Sequence, residues 1–267
     1  MWYATADMKI VKKPILFTIS IAVFAIIIAI WFVVTNLQVV SPLFLPSPKG
    51  VWEAFVSIMQ DGYKSYSFWQ HLGASLQRIA IAFGLAAAVG VPLGLASGYI
   101  PWIKAIFEPL VEVYRPLPPL AYYTVLIIWL GIDNESKIVL LFLACFAPIY
   151  VGCTAAVIRI APNYLRNAEV LGASKGQIFF KVILPFSLPD VFSSMRIALG
   201  VGYTTLVASE MVAARSGIGW VVLDASNYLR SDIIFVGIIV MSITGILMDQ
   251  GIRVLKTVSV PWEGKDI

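Results

Sequence analysis

The chain has 267 residues, of which 60% are hydrophobic and only 13% charged, and its mean hydropathy is +0.88. That is more apolar surface than a soluble core of this length hides, so the composition reads as an all-α, polytopic integral membrane protein embedded in a lipid bilayer. A formal charge of +4, with basic residues set beside apolar segments instead of interleaved with aromatics, argues against a nucleic-acid partner.

Residues 1–14 hold Lys9, Lys12 and Lys13, and residues 15–34 follow as an apolar run without a charge. Such a run crosses a bilayer core of about 30 Å. A signal peptide has an apolar region of only about 7–15 residues and ends in a small-residue cleavage site. None follows Val34, so this is an uncleaved first span with its lysines in the cytoplasm.

Residues 41–69 are turn-rich at first (Pro42, Pro46, Ser47, Pro48, Gly50) and then carry a short amphipathic helix over residues 51–59, outside the membrane. The second span, residues 71–99, holds Gly73, Gly84, Gly90, Gly94 and Gly98 and is interrupted by Pro92. Small residues let helices approach closely in lipid, so this span is expected at the centre of the bundle.

The third span, residues 104–130, is broken by Pro109, Pro116, Pro118 and Pro119. Irregular backbone at membrane depth is tolerated only against protein or a water-filled cavity, so this span is expected to line a pathway. An external loop over residues 131–137 leads to the fourth span, residues 138–158. The fifth span covers residues 186–213. An outer segment with Gly217, Ile218, Gly219 and a half-inserted helix reaching Arg230 precedes the sixth, residues 233–255.

Cytoplasmic loops carry the Lys and Arg excess. Lys9, Lys12, Lys13, Lys104, Arg159, Arg166, Lys175, Lys181, Arg253, Lys256 and Lys265 fall on one side of this six-helix topology. Lys49, Lys64, Lys137, Arg215 and Arg230 fall on the other, and Arg78, Arg115 and Arg196 lie within spans. Both termini are therefore expected inside.

Between the fourth and fifth spans lies the most polar stretch, residues 159–185. Pro162 suits a helix start, and a short helix follows from Asn163 with Tyr164, Ala168 and Leu171 on one face and Arg166, Asn167 and Glu169 elsewhere. Gly172 supplies a left-handed cap. Ser174 and Gln177 have capping-box spacing for a second helix carrying Ile178, Phe179, Val182 and Ile183, which Pro185 is expected to stop.

Ala168, Gly172, Val182, Leu184 and Pro185 fit the pattern E-A-A-x-x-x-G-x(9)-I-x-L-P with its spacing intact, with Arg166 in the place of its Glu and Asn167 in that of its first Ala. This resembles the ATPase-coupling motif of importer-type ABC transporter permeases. The resemblance runs over residues 41–264 and is strongest to permeases of the taurine, alkanesulfonate and nitrate type. Residues 114–120 (YRPLPPL), Gly217-Ile218-Gly219 and the tail Pro261-Trp262-Glu263-Gly264 look most like the taurine branch.

The resemblance implies a type I importer permease of MetI-like fold, one domain over residues 1–267. Within it, residues 1–70 form the first span and external segment, residues 71–256 a five-helix core, and residues 159–185 the coupling loop. It implies Asn163, Arg166, Ala168, Glu169, Leu171, Gly172, Ala173, Ser174 and Lys175 as ATPase-coupling residues. It also implies a homodimer, a cytoplasmic ABC ATPase dimer, a periplasmic solute-binding protein and a bacterial inner-membrane location. The sequence has no Walker-type phosphate loop, so ATP and Mg²⁺ are expected on the ATPase and no cofactor on this chain.

His71 is the one histidine, which excludes any metal site needing two; near an outer boundary, it reads as an interfacial polar group. Cys145 and Cys153 sit eight residues apart in one apolar segment, too far for a disulfide within a helix, and read as packing residues. Charges inside a membrane face a partner or a cavity. Glu108, Glu112 and Arg115 fall at i, i+4 and i+7 on one helix face. Two readings are open there: a Glu112–Arg115 salt bridge that fixes the kink, or a pathway of Glu112, Arg115, Pro116, Pro118 and Pro119 in which Arg115 meets an anionic cargo. Glu210 and Asp249 read as structural ties.

Two other function classes stand beside the importer permease, whose own cargo the resemblance points to as taurine or a related alkanesulfonate, with nitrate, aromatic acids and pyrimidine precursors as runners-up. An ion-coupled secondary transporter would use Glu108, Glu112 and Glu210 as proton carriers. A membrane-embedded enzyme lacks any candidate nucleophile or metal cluster.

Overall fold

The computed structural model describes residues 13–263, with side chains from residue 18 onward. Lys9, Lys12, Lys265 and Gly264 lie outside the described residues, as does the side chain of Lys13. All regular structure among the described residues is helical, apart from one isolated bridge between Tyr63 and Tyr66.

Five helices are long and apolar enough to cross a membrane. They are α1 (Lys13–Asn36), α3 (Phe68–Tyr99), α6 (Asn134–Ile158), α9 (Leu184–Ala213) and α11 (Ser231–Ser259). The expected third span is two shorter helices, α4 (Pro101–Tyr114) and α5 (Pro119–Leu130). The prolines therefore end a helix here instead of only kinking it. The last α-helical bond of α4 is that of the Arg115 N–H to the Val111 carbonyl at 2.9 Å; Pro116 and Pro118 have no N–H to continue the ladder, and Arg115 to Pro118 form the break. Pro92, Pro109, Pro148 and Pro189 are each accommodated inside a helix, so α3 is not interrupted at Pro92.

The core is the packing of α3 on α6 and of α6 on α9. The glycines of α3 at i, i+4 and i+8 explain the first contact. A methyl group at Gly94 would stand 2.7 Å from the Tyr150 carbonyl oxygen, and one at Gly98 2.9 Å from that of Thr154. Thr154 Oγ1 uses the closeness to donate to the Gly94 carbonyl at 3.0 Å. Gly73 and Gly84 face open space and do not share this role. Cys145 and Cys153 are free, buried packing residues in the same core.

A second cluster covers one end of the bundle. There α2 (Pro48–Asp61), opened by Ser47 with its side chain accepting from the Gly50 N–H, lays Val51, Ala54 and Ile58 against α10 (Ile218–Asn227) and α11. The expected amphipathic helix is thus present and longer than residues 51–59. The apolar α1 is joined to the rest near its C-terminal end, where Trp31 stacks on Phe235 and donates to the Pro46 carbonyl. Its large apolar side chains from Ile19 to Ile30, with Phe32 and Val33, stand exposed, the condition of a helix whose solvent is lipid.

Candidate functional site: the loop between the fourth and fifth spans, and the proline break

The loop is built by α7 (Pro162–Val170), a glycine elbow and α8 (Lys175–Ile178). Pro162 opens α7, where a missing N–H has no acceptor to lose. Gly172 has φ +80°, its N–H bonds the Glu169 carbonyl at 2.9 Å, and the Ala173 N–H reaches back to the Ala168 carbonyl at 3.0 Å. That pair of bonds is a Schellman cap, which satisfies the last carbonyls of α7. Ser174 and Gln177 then close a reciprocal capping box on α8. Two helix ends are finished back to back, so the turn between them is fixed by hydrogen bonds on both sides.

Pro185 does not stop the second helix. The chain passes from α8 through a π-helical turn, Phe179–Ile183, directly into α9, with the Leu184 N–H bonded to the Phe179 carbonyl five residues back. One residue of slack in the turn before a proline relieves its clash with the preceding turn, so the helix survives. The loop is therefore joined to the fifth span by continuous helix.

Ile160, Ile178 and Ile183 are buried at the loop base, with Leu165, Ala168, Ala173, Phe179 and Leu184 packed around them. Tyr99 at the end of α3 meets Phe179 with ring centroids 6.0 Å apart, and Arg159 pairs with Asp190 at 3.6 Å. The expected face of Tyr164, Ala168 and Leu171 is only partly right. Leu165 takes the inward place, whereas Leu171 is the C-cap residue, leaves the helical path and points out with Val170, both 86% exposed. Asn163, Arg166, Glu169, Gly172, Ser174 and Lys175 are also exposed, and Arg166, Glu169 and Lys175 form no ion pair among the described residues. The outer surface of the elbow is thus two unburied aliphatic side chains ringed by unpaired charges.

At the proline break the Glu112–Arg115 salt bridge, one of the two readings open there, does not form among the described residues. Neither side chain has an ion partner within 4 Å among the described residues, and Glu108 pairs instead with Lys104 at 3.3 Å, one turn back on α4. Glu112 and Arg115 are both exposed, where a pairing of flexible side chains gains little. Glu108, Glu112 and Arg115 do share a face, lining a cavity of about 140 Å³ with Tyr150 and Thr154 of α6. Pro116 and Pro118 are exposed and Pro119, at the start of α5, is half-buried; none of the three lines that cavity.

Glu210 and Asp249 are structural ties, and their partners are the arginines within spans that the sequence left unassigned. Asp249 receives a two-pronged contact from Arg196 at 2.7 and 3.0 Å and a third from Arg253 at 2.9 Å, joining α9 to α11. Glu210, 1% exposed, takes Arg78 Nη1 at 2.7 Å, the Ser75 hydroxyl and the Gly219 N–H. The glycines at 217 and 219 now have a reason. Gly217 has φ +124°, a methyl group there would run into the Glu210 carboxylate, and one at Gly219 would stand 3.0 Å from Glu210 Cβ. His71 belongs to the same network and is fully buried, not interfacial. Its Nδ1 accepts from the Gly217 N–H, which leaves Nε2 to donate to the Tyr63 carbonyl, and its ring stacks on Trp220. Between α2 and α3, the Tyr63 phenol donates to Asp224 at 2.7 Å, and burial together with that carboxylate pushes its pKa up.

Residues 90–257 match the family described as the binding-protein-dependent transport system inner membrane component. The chain belongs to this family of ABC importer permeases. It is 42% identical over 249 residues to the taurine transport system permease protein TauC of Escherichia coli K12, covering 93% of this chain and 90% of that protein. It is 32% identical over 238 residues to a putative aliphatic sulfonates transport permease protein of Bacillus subtilis, covering 89% and 85%. With the nitrate import permease protein of a Synechocystis species the figure is 32% over 226 residues, covering 83% and 82%. The chain is accordingly a transport permease and not an enzyme, with ATP hydrolysis on a separate subunit as in this family. The proton-carrier reading loses its family context, and Glu108 and Glu210 are engaged by Lys104 and Arg78.

Proposed function

We propose that the chain is the membrane-spanning subunit of an ATP-driven importer of a small sulfonate, with taurine the leading candidate. It works as a homodimer with both termini in the cytoplasm, fed by a periplasmic binding protein. A cytoplasmic ATPase dimer, carrying ATP and Mg²⁺, docks on residues 163–181, with Val170 and Leu171 as apolar anchors and Arg166, Glu169 and Lys175 as the polar rim. The whole chain acts as one permease domain. The proline break, with Glu112, Arg115, Pro116, Pro118 and Pro119, lines the route of the cargo.

The observation that carries this reading is the elbow itself: a hydrogen-bonded turn with exposed aliphatic tips, continuous through a π-helical turn with a spanning helix. Aliphatic side chains exposed on an ordered turn mark a docking surface, and a rigid link to α9 lets force applied there reach the bundle. The sulfonate assignment is supported by the names of the taurine and aliphatic sulfonate relatives. Vesicles reconstituted with the ATPase and binding protein, offered taurine, ethanesulfonate, nitrate, an aromatic acid and a pyrimidine, test it. ATP-dependent uptake of taurine or ethanesulfonate ahead of the others is expected. Preference for nitrate, the aromatic acid or the pyrimidine would contradict the sulfonate assignment.

A further inference from the structure

At the end of the bundle opposite the loop, where α5 gives way to α6 and α9 to α10, lies a cavity of about 420 Å³. That volume falls within the ~300–1,000 Å³ typical of small-molecule pockets. Its walls carry three cations, Arg78, Lys137 and Arg215, against one carboxylate, Asp133. Arg78 is already balanced by Glu210 behind it.

Lys137 is the unusual member. It is only 2% exposed, and Nζ donates to the carbonyl oxygens of Ile132 at 2.6 Å and Asp133 at 3.0 Å. No carboxylate lies within 4 Å of it among the described residues, and an ammonium group has three N–H bonds of which two are used. A buried charge without a counter-ion is unfavourable, and the face left open to it is the cavity. Arg215 is exposed on the same wall and forms no ion pair among the described residues. Asn134, whose Oδ1 accepts from Arg78 Nε, has its amide N–H groups left to donate.

We infer that this cavity is a binding vestibule for a small oxyanion of the sulfonate class, which supplies the charge missing beside Lys137 and takes hydrogen bonds from Lys137, Arg215 and Asn134. Asp133 on the rim suits the ammonium end of an amino-sulfonate. The vestibule's part in transport rests on the importer reading above, whereas its binding chemistry does not.

The test uses the full chain in its complex, in lipid nanodiscs, with a cysteine at the exposed cavity residue Val212 (Val212→Cys). Cys145 and Cys153 are buried, and the parent without the new cysteine reports any background. Rates are compared for two thiol reagents, one ending in a sulfonate and one in a trimethylammonium, each normalised to its rate with a free thiol. The sulfonate reagent is expected to be favoured. Added ethanesulfonate should slow it more than chloride does at the same ionic strength. Loss of one nearby cation should cut the preference about tenfold. Arg215→Gln, at an exposed position, gives this readout even if Lys137→Gln does not assemble. Equal normalised rates, a preference unchanged by Arg215→Gln, or protection by chloride equal to that by ethanesulfonate would overturn the inference. These results are independent of which cargo the vesicles accumulate.

Discussion

Breaking the Arg78–Glu210 pair should be far more damaging than losing any other ion pair among the described residues. Both partners are almost fully buried, at 5% and 1% exposure, and their 2.7 Å contact joins α3 to α9 while the same carboxylate holds the Gly219 N–H. Arg78→Gln leaves Glu210 in low dielectric with only Ser75 and Gly219 as donors, and stranding one member of such a pair costs about 3–5 kcal/mol. Glu210→Gln strands Arg78, though Asn134 and Ser216 still accept from it, so the loss falls toward the lower end of that range. The double replacement removes both charges and leaves two amides, so its loss should be smaller than the sum by roughly 2–3 kcal/mol. Reversible unfolding of the four proteins in mixed micelles measures this directly. A coupling below about 0.5 kcal/mol would mean that water or lipid headgroups reach the site and that the network does not hold this end of the bundle, opposite the loop, together. The exposed Lys49–Glu53 pair serves as the contrast, where replacement should change stability by less than about 1 kcal/mol.

Other consequences are open to simpler tests. With Lys49 and Lys175 exposed at opposite ends of the bundle, single cysteines placed there should react with an impermeant reagent from opposite sides of the membrane; labelling of both from one side would sink the proposed topology. Because Arg115 has no ion partner among the described residues, joint neutralisation of Glu112 and Arg115 should not rescue uptake lost in Arg115→Ala, and Arg115→Lys should keep part of it. Rescue in the double variant would point to a pair that forms in another conformation. A methyl group at Gly94 would meet the Tyr150 backbone and Cys153 Cβ, neither free to move without the helix, so Gly94→Ala should destabilise the α3–α6 contact by roughly 1–3 kcal/mol, visible in the same unfolding assay.

The sequence made the spans legible because their signal is additive: twenty apolar residues speak together, and α1, α3, α6, α9 and α11 fall close to the expected limits. The loop was legible for a different reason. Pro162, Gly172 and the Ser174/Gln177 spacing each act within a few residues, and each cap formed as its local chemistry requires. What stayed hidden depends on partners distant in sequence. Nothing near Pro185 announces that a π-helical turn will carry the helix past it. Nothing near Glu112 shows that it will be left without Arg115. His71, Arg78 and Glu210 are separated by up to 139 positions, and only the close approach of α3, α9 and the Gly217-Ile218-Gly219 turn brings them together. A buried carboxylate opposite an intramembrane arginine, with glycines flanking a turn, was the available signal for that network.

The claim that the elbow transmits the work of a separate ATPase is tested most directly at Gly172. No atom beyond the two adjacent residues lies within 4 Å of where a side chain would begin, so a substitution there finds space for its first carbon and acts through the positive φ. A β-branched residue in that conformation costs about 1–2 kcal/mol, enough to redirect the turn and too little to prevent insertion of the bundle. The measurement is ATP-driven uptake and substrate-stimulated ATP hydrolysis by reconstituted complexes carrying Gly172→Val, at permease levels matched to the parent. Loss of both activities in an inserted, stable permease is the predicted result, and undiminished uptake with normal stimulation would contradict the account.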